Sequence, residues 1–153
     1  LDYVQKLSAF FRNILEYRDK TLISLKEELE LAGTYFYLQK QRYSDNFKLT
    51  VDIANEYLST FIPPMTLQMI LENAIKHNVI SADKPLTVTI SVKDNYLVIS
   101  NNIQPKKNQE ASTGIGLQNI ANRYRIINGS RIDVKITAET YTIFLPVIKR
   151  EGT

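Results

Sequence analysis

The spacing of the hydrophobic residues changes at Ser44-Asp45-Asn46. Before this point they recur at three- and four-residue steps over residues 1–18 and from Ser24 to about residue 42, which predicts two amphipathic helices. After it they alternate with polar residues over residues 47–53, which predicts a strand. The change of period predicts a domain boundary, with a helical segment over residues 1–45 and a second domain over residues 46–153.

The two N-terminal helices carry narrow apolar stripes that suit helix pairing. Ser24 and Glu27 have the spacing of a capping box at the start of the second helix, and further acids, including Glu28, crowd its first turn. Core packing or dimerisation is the simplest explanation of both stripes. Their residues are Leu1, Val4, Leu7, Phe11, Ile14 and Leu15 in the first helix and Leu25, Leu29, Ala32 and Phe36 in the second.

The second domain alternates between strand and helix patterns. In each of two predicted strand pairs, a short turn joins the two strands, which favours a mixed, largely antiparallel sheet. We therefore predict an α+β fold, a two-layer sandwich with helices on one face of the sheet, preceded by a helical pair. The predicted elements are a helix over residues 64–77, strands over 86–92 and 97–100, a polar loop over 101–113, a helix over 115–127, and strands over 131–136 and 141–147.

Composition excludes several kinds of site. The chain has no cysteine, which removes disulfides and cysteine-based zinc sites, and one histidine is too few for a histidine-based metal cluster. Lysine and arginine are scattered at a net charge of +3, so we expect no nucleic-acid binding. No apolar run is long enough to span a bilayer, so we expect no direct membrane contact. Because the sequence lacks an initiator methionine, we expect a parent protein that continues upstream.

The predicted helix over residues 64–77 places four chemically capable side chains opposite its apolar stripe: Glu72, Asn73, Lys76 and His77. Glu72 and Lys76 are four residues apart, as are Asn73 and His77, so each pair shares a face. The carboxylate suits proton transfer, the amide oxygen suits a hard cation, and the two basic groups suit phosphate oxygens. Taken alone, the motif is better explained as a solvated polar face with one ion pair.

A second motif, "STGIGLQN" over residues 112–119, leads from the polar loop into a helix through Gly114 and Gly116. Glycines allow close approach of a ligand to the backbone, and the free N–H groups of a helix start bind phosphate. The alternative is plain flexibility before a helix. The spacing matches neither the Walker pattern nor the dinucleotide fingerprint.

Together the motifs resemble the GHKL-type ATP-binding domain, also called the Bergerat fold, and within that superfamily the LytS-like sensor histidine kinases. The resemblance covers nearly the whole chain. The stretches that carry it are "PPMTLQMILENAIKHN" over residues 63–78, "GIGLQNIANRY" over 114–124, and "SLKEELELAGTYFYLQKQRYSD" over 24–45, which is similar to the connector between the phospho-acceptor helices and the ATPase domain.

The resemblance implies ATP and Mg²⁺ as cofactors and assigns roles residue by residue. Glu72 would orient or activate the reacting group, and Asn73 would help to hold Mg²⁺ against the phosphates. Asn101 stands where the family often has an Asp that binds the adenine amino group; an amide oxygen still accepts that hydrogen bond, but the charge is lost. The implied catalytic residues are Glu72, Lys76 and His77, and the implied cofactor-binding residues are Asn73, Asn101, Gly114, Gly116 and Leu117.

The resemblance also implies a function, the catalytic region of a two-component sensor histidine kinase. Such a region transfers the γ-phosphoryl of ATP to a histidine that would lie upstream of this sequence, because nothing here matches the acceptor motif and His77 lies inside the ATP-site helix. The implied partners are a second copy, bound through the N-terminal helices of the parent protein, and a response regulator. The implied location is the cytoplasm, as the cytosolic part of an inner-membrane bacterial sensor.

Two alternatives remain open. The neutral Asn101 and the missing glycine of the Asp-x-Gly motif favour a degenerate nucleotide-binding and dimerisation module that acts as a signalling scaffold. A superfamily relative that phosphorylates a separate protein on serine fits less well, because the connector helix argues against it. We expect residues 103–113 to form a lid that is ordered by nucleotide, since they have almost no apolar anchors.

Overall fold

The computed structural model describes residues 2–107 and 115–149, with only the backbone of Ile115. Short 3-10 turns at Ser44–Asn46 and Asn55–Tyr57 flank the first long strand. No helix of the described residues is long and apolar enough to cross a membrane. The elements are α1 (Asp2–Tyr17), β1 (Ile23–Ser24), α2 (Leu25–Tyr43), β2 (Phe47–Asp52), β3 (Phe61–Ile62), α3 (Thr66–His77), β4 (Leu86–Lys93), β5 (Tyr96–Asn102), α4 (Ile115–Asn128), β6 (Asp133–Ile136) and β7 (Thr140–Pro146).

The main sheet has the strand order β2-β4-β5-β7-β6. Strand β2 runs parallel to β4, with Phe47 opposite Leu86, and every other pair in this sheet is antiparallel. The predicted mixed, largely antiparallel sheet is therefore confirmed. A second sheet pairs Ile23 of β1 with Ile62 of β3. It was not predicted because two-residue strands are too short to show alternation.

The hydrophobic core lies between one face of the main sheet and the helices. Alternate residues of the central strands point into this core and are almost completely buried, whereas their neighbours on the other face are partly or fully exposed. This one-sided burial confirms the predicted two-layer α+β sandwich. The core residues are Phe47, Leu86, Val88, Ile90, Leu97, Ile99, Ile143 and Leu145 from the sheet and Leu67, Ile70, Leu71, Ala74, Ile120 and Tyr124 from α3 and α4.

The first helix packs differently from its predicted seam. Phe10, which lies outside the predicted stripe, is the buried residue of α1, and its ring lies 6.2 Å from that of Tyr35 on α2. Val4, Phe11 and Leu15 belong to the stripe but are 62%, 56% and 62% exposed. One stripe residue, Ile14, is partly buried and packs against the core, so the stripe contributes to core packing only in part. The role of its exposed residues in dimerisation stays a prediction.

Helix α2 begins as predicted, with a complete capping box. The Ser24 side chain accepts a hydrogen bond from the Glu27 amide at 3.1 Å, and Glu27 Oε1 accepts one from the Ser24 amide at 3.1 Å. Glu28, in contrast, is not one of the solvated acids of the first turn. Its side chain is only 1% exposed and points into the protein between α2 and α3.

The Glu28 carboxylate caps the start of α3. Its Oε1 accepts a hydrogen bond from the Met65 amide at 2.8 Å, and its Oε2 accepts one from the Leu67 amide at 2.8 Å. The first amides of a helix have no partner within the helix, and Met65, in the left-handed region at φ 66°, supplies no side-chain cap. For this reason α3 begins at Thr66, two residues later than predicted, after a turn that a distant acid stabilises.

Arg123 of α4 binds the same turn. Its guanidinium donates a hydrogen bond to the Pro64 carbonyl at 2.9 Å, so α2, α3 and α4 all meet at residues 64–67. These contacts join residues on either side of the predicted boundary at residue 45, and the boundary itself stays a prediction. Burial raises the pKa of the Glu28 carboxyl to about 7, although the backbone donors of α3 and Arg123 act in the opposite direction.

We expect the unfolding free energy of the wild-type chain, relative to Glu28→Gln, to fall as the pH rises from about 4 to about 8. Because folding raises the pKa, the protonated carboxyl contributes fully to the unfolding free energy below pH 4.5, its ordinary pKa. This contribution is lost as the pH rises past about 7, its pKa in the folded chain. The whole change corresponds to about 3 kcal/mol. The groups of α4 that face Glu28 are Arg123 and Tyr124.

Urea denaturation of both proteins across this pH range measures the difference, and the other carboxylates cancel because both proteins carry them. A difference that instead grows with pH would show that the backbone donors and Arg123 outweigh burial, so that the pKa of Glu28 lies below its ordinary value.

Candidate functional site

Helix α3 presents its polar face to solvent as the apolar stripe requires. Glu72 and Lys76 are exposed, whereas Asn73 and His77 are half-buried. The Glu72 carboxylate accepts a hydrogen bond from Gln68 Nε2 at 3.0 Å, one turn earlier, and not from Lys76. The expected ion pair between Glu72 and Lys76 is therefore wrong. The Glu72 carboxylate is thus hydrogen-bonded to Gln68 and remains exposed to solvent.

The environment of His77 is electropositive. Burial lowers the pKa of the imidazole below its ordinary value of 6.5, and the charges of Lys76 and Lys106 lower it further. These effects favour the neutral form of the His77 imidazole. The Lys106 ammonium approaches from the segment after β5, so two cations lie near this end of α3. Sequence reasoning missed Lys106, although it is adjacent to a second lysine, Lys107, in the sequence.

The two sequence motifs meet where α4 begins beside α3. A Cβ atom added at Gly116 would lie 3.5 Å from Nδ2 and 3.8 Å from Oδ1 of Asn73. Helix α4 starts at Ile115, so Gly116 lies in its first turn, where amide groups lack helical partners. Leu117 is half-buried and packs against the core. Gly114 lies outside the described residues.

Asn101 lies near the end of β5, between Val88 of β4 and Tyr141 of β7. It is only 8% exposed, and its Nδ2 donates a hydrogen bond to the Asn102 carbonyl at 2.8 Å. Only the NH₂ end of the amide donates to a carbonyl, so this bond sets the orientation of the side chain. In the described part of the chain, Oδ1 receives no donor, and it is the atom left to accept a hydrogen bond from a ligand.

A side-chain network joins the end of β5 to the end of α3. Asn78 Nδ2 donates to the Ala74 carbonyl at 2.8 Å, and Asn78 Oδ1 accepts a hydrogen bond from the Gln104 amide at 2.6 Å. The Gln104 carbonyl in turn accepts one from the Val79 amide at 2.7 Å. Gln104, three residues after Asn101, therefore contacts Asn78, the residue that follows His77.

This network corrects the expected loop. Residues 101 and 102 belong to β5, and Asn102 is held by the Thr87 amide at 2.8 Å and the Pro85 carbonyl at 3.0 Å. The Ile103 amide donates to the Glu139 carbonyl at 2.9 Å. The beginning of the segment 103–113, which was expected to have almost no apolar anchors, is thus held by polar hydrogen bonds instead. Residues 108–114 lie outside the described residues, and a lid ordered by nucleotide stays a prediction. Short polar side chains such as Asn78 and Gln104 gave no periodic signal from which these anchors could be found.

The structure thus brings Asn73 and Gly116 together on α3 and α4, with the electropositive surroundings of His77 at the end of α3. Asn101, at the end of β5, is connected to this end of α3 through the contact of Gln104 with Asn78. Within the described residues, no group of three or more His, Cys, Asp or Glu side chains is placed to hold a metal ion. A divalent ion at Asn73 would therefore take most of its ligands from a bound molecule and from water. That pattern is the usual one for Mg²⁺ bound with phosphates.

Comparisons with known proteins bear on the family of this chain. A protein-family model described as histidine kinase matches residues 1–47. The sensor protein LytS of Staphylococcus saprophyticus is 30% identical over 150 residues, which cover 88% of this chain and 25% of that protein. The sensor protein LytS of Streptococcus mutans is 32% identical over 143 residues, which cover 83% of this chain and 24% of that protein.

Solved structures agree on the fold. The catalytic domain of the histidine kinase ThkA superposes with a TM-score of 0.59 at 15% identity, covering 84% of this chain and 99% of that domain. At this identity the likeness shows the fold alone. The chain spans about a quarter of the length of the curated relatives it matches, and it belongs to the LytS-like family of sensor histidine kinases.

Proposed function

We propose that this chain binds ATP with Mg²⁺ and forms the catalytic region that phosphorylates a histidine located upstream in its parent protein. The observation that carries the proposal is the approach of Gly116 to the Asn73 amide. A glycine in the first turn of α4 leaves room for phosphate oxygens beside an amide that suits Mg²⁺. The proposed site for phosphate and Mg²⁺ needs both residues, the glycine for space and the asparagine for the metal.

Asn73 would hold Mg²⁺ through its side-chain oxygen, beside the free amides at the start of α4. When bound, the ion would neutralise charge on the phosphates. The cations Lys76 and Lys106 near His77 would attract the same phosphates, and the neutral imidazole of His77 would contribute a hydrogen bond. These groups position ATP, and positioning is most of what this reaction requires.

Glu72 would act on the acceptor. In the transfer, an imidazole nitrogen of the acceptor forms a bond to the γ-phosphorus while the bond to the bridging oxygen breaks and ADP leaves. The Glu72 carboxylate, exposed and held by Gln68, would orient the neutral imidazole and accept the proton of its other nitrogen, the one that does not bond to phosphorus. The acceptor histidine would approach from solvent on the side where Glu72 is exposed.

Asn101 would recognise adenine through its Oδ1, whose orientation the bond from Nδ2 to the Asn102 carbonyl sets. The adenine amino group is a donor and suits this acceptor, whereas guanine presents an oxygen at the same position. An aspartate would put a second oxygen against the Asn102 carbonyl, so the amide is compatible with this particular strand end. The neutral side chain also favours a second candidate function, a signalling scaffold that binds nucleotide weakly.

The remaining partners follow from the family. We propose that the parent protein dimerises through its N-terminal helices, where Val4, Phe11 and Leu15 are exposed along α1, and that it passes the phosphoryl group to a response regulator. The region would lie in the cytoplasm, on the inner side of the membrane that carries the sensor.

Metal dependence tests the assignment of Asn73. We expect ATP to bind more tightly with Mg²⁺ than without it, and Asn73→Ala to remove most of that difference while leaving metal-free binding nearly unchanged. Calorimetric titration measures both, and Asn55→Ala, an exposed asparagine in a 3-10 turn remote in sequence from either motif, is the control. Equal affinity with and without Mg²⁺ in the wild-type chain would contradict this assignment.

Gly116→Ala tests the meeting of the two motifs. The added methyl group would make ordinary contact with the Asn73 amide, so we expect a folded, equally stable chain that binds ATP with Mg²⁺ about tenfold more weakly. Gly33→Ala is the matched control, because it also adds a methyl group within a helix but nothing lies within 4 Å of it. If both variants bind equally well, phosphate does not occupy the space beside Gly116.

Labelling with γ-labelled ATP tests the enzyme against the scaffold. We expect no stable phosphohistidine on this chain alone, and labelling on a longer chain that includes the preceding helix. In the longer chain Glu72→Gln should slow labelling by about a hundredfold with little loss of ATP affinity, because the carboxylate acts on the reacting group. A longer chain that binds ATP tightly and never labels itself would favour the scaffold.

A further inference from the structure

We propose that Glu28 is a positioning residue for the reaction, which links the connector helix α2 to both halves of the nucleotide site. This inference rests on the proposed function. Glu28 lies on α2, outside the site, and its carboxylate holds the start of α3 through the Met65 and Leu67 amides at 2.8 Å each. Neither sequence motif includes it.

The acceptor that caps α3 comes from another helix, 37 and 39 residues earlier in the chain than the amides it binds. The nearer hydroxyl, that of Thr66, is already engaged, because it donates to the Pro63 carbonyl at 2.7 Å. Met65 provides no side-chain cap. In the described part of the chain, Glu28 is therefore the side chain that fixes where α3 starts.

Asn73 lies six residues after Leu67 on the same helix, which is about 9 Å along the axis. A helix of this length moves as a unit, so a displacement of its first turn also displaces Asn73. The other half of the site depends on the same turn, because Arg123 of α4 donates to the Pro64 carbonyl at 2.9 Å. Arg123 lies seven residues after Gly116. The positions of both Asn73 and Gly116 thus depend on the turn at residues 64–67, which Glu28 binds.

Helix α2 also carries the contacts to α1. The rings of Phe10 and Tyr35 lie 6.2 Å apart, and the Tyr37 hydroxyl donates to Asp2 at 2.7 Å. A shift of α1 that moves α2 would therefore also move Glu28, and with it the start of α3 at the nucleotide site. No lysine or arginine nitrogen of the described residues lies within 4.0 Å of its carboxylate, so the backbone of α3 is its principal polar partner.

The experiment compares Glu28→Gln with Glu30→Gln, an exposed acid of the same helix, in the longer chain that includes the acceptor. Glutamine keeps the size of the side chain but offers one acceptor for two amides. We expect Glu28→Gln to bind metal-free ADP like the control and to label itself about tenfold more slowly at saturating ATP and Mg²⁺, after correction for the folded fraction. Labelling equal to the control would overturn the proposal, since a purely structural cap changes only the folded fraction.

Two further measurements keep the proposal separate from the proposed function. Hydrogen exchange on the 153-residue chain needs no catalysis. There we expect Glu28→Gln to lose protection along α3 as far as Asn73 and within α4 beyond its first turn, and a loss confined to residues 65–67 would overturn the proposal. If Glu28→Gln does not fold, Arg123→Ala removes the link to Pro64 from an exposed position, and unchanged labelling and unchanged protection of α4 would overturn it. Failure of the wild-type longer chain to label counts against the proposed function alone.

Discussion

The two hydrogen bonds from the start of α3 to the buried Glu28 carboxylate are the contact on which the candidate site depends. They decide where α3 begins, and therefore where Asn73 lies along it. Replacing this carboxylate by an apolar side chain would leave the part-buried Met65 amide and the buried Leu67 amide without acceptors, at a cost of about 1–3 kcal/mol for a buried amide. Burial raises the pKa of this carboxyl to about 7, whereas the backbone donors of α3 and Arg123 act on the same group in the opposite direction.

Local patterns were sufficient to predict the fold. The stripe of Leu67, Ile70, Leu71 and Ala74 has helical spacing, and burial of all four against the sheet confirms it. The capping box of Ser24 and Glu27 depends on residues three apart, and it too is present. The hairpin strands β4 and β5 bury alternate residues, as their period requires. In each case the physical cause lies within a few residues of the effect.

Long-range contacts could not be predicted in this way. Glu28 looks like an ordinary acid of a helix first turn, since nothing nearby in sequence indicates that it meets Leu67, 39 residues away. The Asn78–Gln104 contact spans 26 residues, and it anchors a segment whose composition indicated a mobile loop. Asn101 was recognised as a candidate by its position, but the bond that orients its amide is visible only in the structure.

The central claim is that Asn73, Gly116 and Asn101 belong to one nucleotide site. Nuclear magnetic resonance of the isotope-labelled chain during titration with ATP and Mg²⁺ tests it most directly. The account predicts that the side-chain amide signals of Asn73 and Asn101 and the backbone amide of Gly116 shift together and saturate at one nucleotide per chain. Shifts centred instead on the cleft of about 270 Å³ lined by Arg18, Lys20 and Arg123, with those three signals unmoved, would contradict it.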